Sequence, residues 1–308
     1  MEKAYHGCWP TMITPFTTDN KPDYTAIKKL VDWYVMRGST GIFAVCQSSE
    51  MFYLSKTEKL DIAKAVVDAA AGRIKVIASG HTSDDHQEQI DELGAMSQIK
   101  GLDAVVLVSN RMAKQDEGED VFRKNADDIF RQLPGVPFGL YECPFPYLRL
   151  LSDDFLKDCA KTGKLVFLKD VSCARDIQKR RVVLVKGTNL SLFNANTATL
   201  LDSLIDGYDG YNGVMANFHI DLYAWLYKNF QKEPETARKL MDFLTIAAII
   251  EARCYPVSAK WHQNAYDVPM TTFTRSKDPA LLNENGIHEM ESLHRKEIAW
   301  RKQLGLAL

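Results

Sequence analysis

Eight alternations of a short apolar run with an amphipathic segment, filling about the first 230 residues, predict an α/β fold: a (β/α)8 TIM barrel with a C-terminal helical appendage. The runs lie near positions 10, 42, 75, 104, 138, 166, 190 and 211, and each is continuously apolar, as in parallel strands covered by helices. No Gly-rich dinucleotide turn follows the first run, which disfavours the open doubly wound sheet as the rival architecture.

The elements follow in order. GCWPTMITPF (Gly7 to Phe16) reads as a strand, and the next segment puts Ile27, Leu30, Val31, Tyr34 and Val35 on one helical face, with Gly38 placed to end it. TGIFAVC (Thr40 to Cys46) is the second strand. Ser55 and Glu58 then have capping-box spacing at the start of a helix through Leu60, Ala63, Val66 and Ala70. Ile74 to Ser79 precedes a helix around Ile90, Leu93 and Met96, and Asp103 to Ser109 precedes one around Val121 and Phe130. Pro137 to Cys143 leads to a helix that Ser152 caps and Gly163 ends. LVFLKD comes next, then a polar helix from Asp176 to Val185, in which the basic run KRRVVLVK reads as a solvated face. Asn189 to Ala195 and Gly210 to Asn217 complete the strands, and GYDGYNG before the last of them reads as an αβ turn, not a nucleotide loop.

After Phe230 the pattern becomes wholly helical, which divides the chain into a catalytic barrel over 1–230 and a helical region over 231–308. LTIAAII (Leu244 to Ile250) reads as part of a buried helix, and HEMESLH (His288 to His294) as a solvated one without metalloprotease spacing. A net charge of −2 gives no electrostatic reason for nucleic acid or an anionic membrane as partner. No run approaches the roughly 20 apolar residues of a membrane span, and the N-terminus has no signal-peptide core. Cys8, Cys46, Cys143, Cys159, Cys173 and Cys254 have neither metal-ligand nor disulfide-framework spacing; free thiols in a cytoplasmic protein are expected, and no metal site.

Barrel enzymes carry their chemistry at the C-terminal ends of the strands. Here those ends supply Gln47, Ser48, Ser49 and Glu50 from strand 2, His81 from strand 3, Tyr141 and Glu142 from strand 5, Lys169 and Asp170 from strand 6, and Met215 and Asn217 from strand 8. A lysine ending an apolar run is either an ordinary partner of Asp170 or a desolvated amine able to attack a ketone. Tyr141 on the adjacent strand offers a phenol for proton transfer, or simply packs. Glu50 suits structural hydrogen bonds, and Glu142 a contact to a hydroxylated or cationic substrate.

TPF at Thr14 to Phe16, CQSSE at Cys46 to Glu50, YECP at Tyr141 to Pro144 and LKD at Leu168 to Asp170 resemble, in order, motifs of the class I pyruvate-dependent aldolases that include dihydrodipicolinate synthase and N-acetylneuraminate lyase. The resemblance covers essentially the whole length. It implies a lyase acting on pyruvate or another 2-oxo acid, making or breaking a carbon–carbon bond with an aldehyde partner. It implies Lys169 as the Schiff-base lysine, with no cofactor beyond that covalent imine, and Tyr141 as general acid/base. Gln47, Ser48 and Ser49 would hold the keto-acid carboxylate, Met215 would line the imine pocket, and a homotetramer or dimer is expected.

The departures sharpen the expectation. Cys46 and Ser49 stand where that family's loop has glycines, which predicts an altered backbone. SNRMAKQ (Ser109 to Gln115) lacks the tyrosine pair that many members use to complete a proton relay. Pro146 falls at the place of the arginine with which the synthase grips its second substrate, and Arg149 lies too far along. Dihydrodipicolinate synthesis itself is therefore not expected, and nothing supports the neuraminate lyase assignment. A 2-keto-3-deoxy sugar acid dehydratase or hydratase-aldolase is the alternative. A non-catalytic barrel that binds a keto acid or sugar acid is the reading from another class.

Overall fold

The computed structural model describes residues 3–307. Its strands are β1 (Gly7–Cys8), β2 (Gly41–Phe43), β3 (Lys75–Ala78), β4 (Ala104–Val108), β5 (Phe138–Tyr141), β6 (Leu165–Asp170), β7 (Ser191–Asn194) and β8 (Gly210–Tyr211). All are parallel and run β1-β8-β7-β6-β5-β4-β3-β2. The seam between β1 and β2 is closed by a parallel bridge from Thr11 to Phe43, with Met12 N donating to Phe43 O at 3.0 Å and Phe43 N to Pro10 O at 3.0 Å. The predicted barrel is present.

Helices α1 (Tyr24–Met36), α2 (Lys56–Ala70), α3 (His86–Ser97), α4 (Glu119–Gln132), α5 (Asp153–Thr162), α6 (Arg175–Leu184), α7 (Leu200–Asp206) and α8 (Ala216–Asn229) each follow one strand. Local chemistry sets their ends. Ser55 Oγ accepts from Glu58 N at 3.2 Å while Glu58 Oε2 accepts from Ser55 N at 2.9 Å, the reciprocal box read from sequence. Ser152 caps α5, and Gly163 ends it at φ 70°, a left-handed conformation that glycine adopts without a Cβ clash.

The strands are shorter than their apolar runs. β1 stops at Cys8 because Pro10 has no N–H to continue a ladder. Beyond Phe43 the chain leaves the sheet for two single-turn 3-10 segments, Gln47–Ser49 and Met51–Tyr53. That departure builds the site described below.

The N-terminal end of the barrel is plugged by aromatic rings. Trp9 is fully buried, 5.6 Å from the Phe167 ring and 5.3 Å from Phe193, and Phe167 and Phe193 lie 4.7 Å apart. The plug requires a strand residue without a side chain beside it: a Cβ on Gly41 would fall 2.3 Å from the Trp9 ring.

Three helices follow the barrel: α9 (Pro234–Glu251), α10 (Val257–Tyr266) and α11 (Glu284–Leu304). α9 is not buried all round as its apolar run predicts; Leu244 and Ala247 face inward while Ile246 and Ile249 are exposed. Nor is α11 wholly solvated. Met290, Leu293 and Glu297 are buried, and the Glu297 carboxylate gathers His219 Nδ1 at 2.9 Å, His262 Nε2 at 3.1 Å and His294 Nδ1 at 3.2 Å. These contacts join α8, α10 and α11. Among the described residues no helix is long and apolar enough to cross a membrane.

The plug should dominate stability. Trp9→Ala opens a cavity that the surrounding rings cannot refill, so a loss of about 3–5 kcal/mol is expected, read from the urea midpoint of unfolding.

Candidate active site

In β5 and β6 the register sets Tyr141 beside Lys169. Side chains alternate along a strand, so these two point into the barrel while their successors, Glu142 and Asp170, point out toward the helices. There α6 supplies Arg181, 1% exposed, whose guanidinium donates to both Glu142 oxygens, through Nη1 to Oε2 at 2.9 Å and through Nη2 to Oε1. Arg181 Nη1 also lies 2.8 Å from Asp170 Oδ2, to which the Tyr208 hydroxyl donates. Glu142 further accepts from Leu151 N at 2.8 Å and Val171 N at 3.2 Å.

Two expectations are corrected here. Glu142 is spent on Arg181 and the backbone and cannot meet substrate, and Arg181 belongs to the core instead of a solvated face. Nor is Lys169 an ordinary partner of Asp170, whose carboxylate already meets Arg181 and Tyr208.

Lys169 is 4% exposed, and no carboxylate lies within ion-pair distance of its Nζ among the described residues. The ammonium position sits over the Tyr141 ring, 4.4 Å from its centroid, and 5.8 Å from that of Phe43. Burial without a compensating anion favours the neutral amine and lowers the Lys169 pKa to about 8. Burial raises the Tyr141 pKa well above its ordinary value, so the phenol stays protonated; it donates to Gln47 Oε1 at 3.0 Å. An amide oxygen accepts that proton's hydrogen bond but offers no exchangeable proton of its own, so a relay through hydroxyls does not run this way.

The second hydroxyl line starts at Ser48, whose Oγ donates to Thr11 Oγ1 at 3.1 Å. Beside both sits the Tyr255 phenol, which accepts from Asn217 Nδ2 at 3.1 Å and is held protonated by burial. Ser49 and Met215, expected to bind substrate, do not line the cavity. Ser49 Oγ donates to the Met12 and Ala44 carbonyls at 2.7 and 2.6 Å, and Gly213 and Val214 form the wall at the end of β8. Ser49 thus does structural work, accepting from Cys46 N at 3.1 Å. The loop tolerates Cys46 and Ser49 because its left-handed residue is neither of them but Glu50, at φ 63°.

Glu50 holds the C-terminal region against the mouth. Its Oε1 accepts from Lys260 Nζ at 2.9 Å, and its Oε2 from Arg275 N at 2.6 Å and Ser276 N at 2.8 Å. Tyr255, Pro256, Ser276 and Lys277 are thereby brought onto a cavity of about 430 Å³ that opens above Lys169. Sequence reasoning missed these four, because no motif or periodicity marks a loop residue that a distant ion pair positions. His81, at the end of β3, is used internally: its Nδ1 accepts from Val108 N at 3.0 Å and its Nε2 pairs with Gln89. Burial lowers its pKa to about 4, so the ring is neutral.

A (β/α)8 barrel with a desolvated lysine and a protonated tyrosine on adjacent strand ends is the frame of a class I aldolase-type lyase. The chain belongs to the dihydrodipicolinate synthetase family, whose model matches residues 4–289, and is an enzyme of that lyase type. It is 29% identical over 264 residues to the 4-hydroxy-tetrahydrodipicolinate synthase of Laribacter hongkongensis, covering 83% of this chain and 86% of that one. To the enzyme of the same name from Staphylococcus carnosus it is 27% identical, covering 82% and 83%. Among solved structures, a lysine mutant of the Ruminococcus gnavus sialic acid aldolase superposes with a TM-score of 0.87 at 16% identity, covering 99% of this chain and 100% of that one. Dihydrodipicolinate synthase from Acinetobacter baumannii, complexed with pyruvate, gives 0.84 at 21% identity over 95% and 98%. At such identities the superpositions bear on the fold alone.

Arg181→Leu would leave two carboxylates buried without their cation. A loss of about 3–5 kcal/mol is expected, seen as a lower thermal midpoint, whereas the surface change Arg180→Leu should stay within about 0.5 kcal/mol.

Proposed function

We propose that Lys169 forms a Schiff base with pyruvate or a closely related 2-oxo acid, and that the enzyme makes or breaks the carbon–carbon bond next to the imine carbon. The observation that carries this reading is the Lys169 amine, buried, without an anionic partner and with its pKa lowered to about 8, at the floor of the cavity beside Tyr141. A neutral amine attacks the ketone; the carbinolamine loses water and leaves a protonated imine that draws electrons from the adjacent carbon. Loss of a proton from that carbon gives an enamine, which adds to an aldehyde; cleavage is the reverse. Tyr141, protonated by its burial, is the proton donor for departure of water, and Gln47 and Ser48 stand where the keto-acid carboxylate would lie.

The relatives named as 4-hydroxy-tetrahydrodipicolinate synthases give no support to the expectation that sets that reaction aside. The geometry bearing on it is Arg149, which is not on the cavity wall: its Nη2 donates to the Lys114 and Glu117 carbonyls at 2.7 and 2.6 Å. The homotetramer or dimer implied by the resemblance belongs to the same proposal and is read by light scattering.

Incubation with pyruvate and borohydride should leave a reduced adduct on the wild type and none on Lys169→Ala, read by intact mass; absence of the wild-type adduct sinks the pyruvate reading. The charged amine is inert, so imine formation should be slow below the Lys169 pKa and rise about tenfold per pH unit until it levels off near pH 8. A rate that falls over that range would contradict the role given to the amine.

A further inference from the structure

The wall of the cavity away from Lys169 is apolar to a degree that its floor is not. From the ends of β6, β7 and β8 come Val171, Ala195, Gly213 and Val214, none with a side chain able to hydrogen-bond. Phe52, Tyr53, Pro144, Phe145 and Pro256 line the same cavity. Phe52 and Phe145 lie 5.1 Å apart at 58°, and the Arg111 guanidinium, itself 2.6 Å from Asp84 Oδ1, braces Phe52 at 5.2 Å. Phe145 is 47% and Tyr53 51% exposed. These two rings offer apolar surface at the cavity mouth that a bound ring would cover.

The polar side chains nearby are already occupied. Glu50 takes up Lys260 and two backbone N–H groups, and the Gln47 oxygen accepts from Tyr141. Asn196, one residue past the wall at Ala195, is absent from the lining; its Oδ1 accepts from Thr199 N at 3.0 Å. Ser276 and Lys277 remain, both in the C-terminal region, together with the Tyr53 phenol after β2. A chain of hydroxyl groups lying against β6 to β8 would therefore meet no side-chain partner there, whereas a ring would gain apolar contact.

We propose that the outer half of this cavity is a subsite for an apolar, ring-sized tail carried by the 2-oxo acid or by its aldehyde partner. The inference rests on the reading of the cavity as a 2-oxo acid site. Polyhydroxylated sugar acids, the substrates of the dehydratase alternative, are disfavoured by the same wall.

The test is isothermal titration of wild type and Lys169→Ala with three probes: pyruvate, 4-phenyl-2-oxobutanoate and a 2-keto-3-deoxyhexonate. The phenyl-bearing acid should bind at least about tenfold more tightly than the hexonate to both proteins, since the preference does not depend on the imine. Phe52→Ala and Phe145→Ala should each reduce that advantage several-fold, with circular dichroism verifying the fold. No binding of the phenyl acid, a hexonate that binds as well or better, or an advantage untouched by both truncations would overturn the proposal. Borohydride trapping separates the two readings. A ring preference without a pyruvate adduct keeps the subsite and removes the aldolase reading, and an adduct without a ring preference does the reverse.

Discussion

One arginine holds the site in place. Arg181 meets Glu142 and Asp170 together, and those carboxylates are the immediate successors of Tyr141 and Lys169 on adjacent strands. Because alternate residues of a strand face opposite ways, fixing the outward pair fixes the direction of the inward pair. The Glu142 backbone contacts, to Leu151 N and Val171 N, then tie the loops after β5 and β6 to the same anchor. A cation shared between two buried anions is costly to assemble and worse to break, so it behaves as a rivet between α6 and the sheet. It also leaves Lys169 without an anionic partner to offset the burial that lowers its pKa.

A second ion pair sets the other side. Lys260 and Glu50 join α10 to the loop after β2, and through Arg275 N and Ser276 N the same carboxylate orders the segment that carries Ser276 and Lys277. The C-terminal helices are therefore part of the cavity and not only a cover for the barrel. Their Tyr255 reaches the hydroxyls of Ser48 and Thr11, close to where Tyr141 turns to Gln47. Two protonated phenols from different parts of the chain thus line the cavity that holds the lysine.

The two anchors divide the cavity chemically. Near Lys169 the lining carries the hydrogen-bonding groups of Tyr141, Gln47 and Ser48. Farther out, β6 to β8 end in small or aliphatic side chains, and the loops after β2 and β5 bring rings. Under the proposed function the polar floor would receive the keto acid and the apolar wall the group attached to it.

Periodicity and spacing were enough for the barrel, the Ser55–Glu58 box and the ends of α5, because each depends on neighbours within a few residues. The strand-end positions of Lys169 and Tyr141 were legible for the same reason: a strand end in such a barrel is readable from the run that precedes it. What stayed hidden depends on groups far apart in the chain. The basic run around Arg181 looks solvated until Glu142, 39 residues earlier, is seen to lie beneath it. Ser49 resembles a ligand-binding hydroxyl until the Met12 carbonyl is found to accept its hydrogen bond, and Met215 yields the wall to Gly213 and Val214. Sequence alone determined the alternation of elements and the residues at the strand ends. Only the tertiary structure decided which of those polar groups are already paired, since a buried charge draws its meaning from whatever the fold brings opposite it.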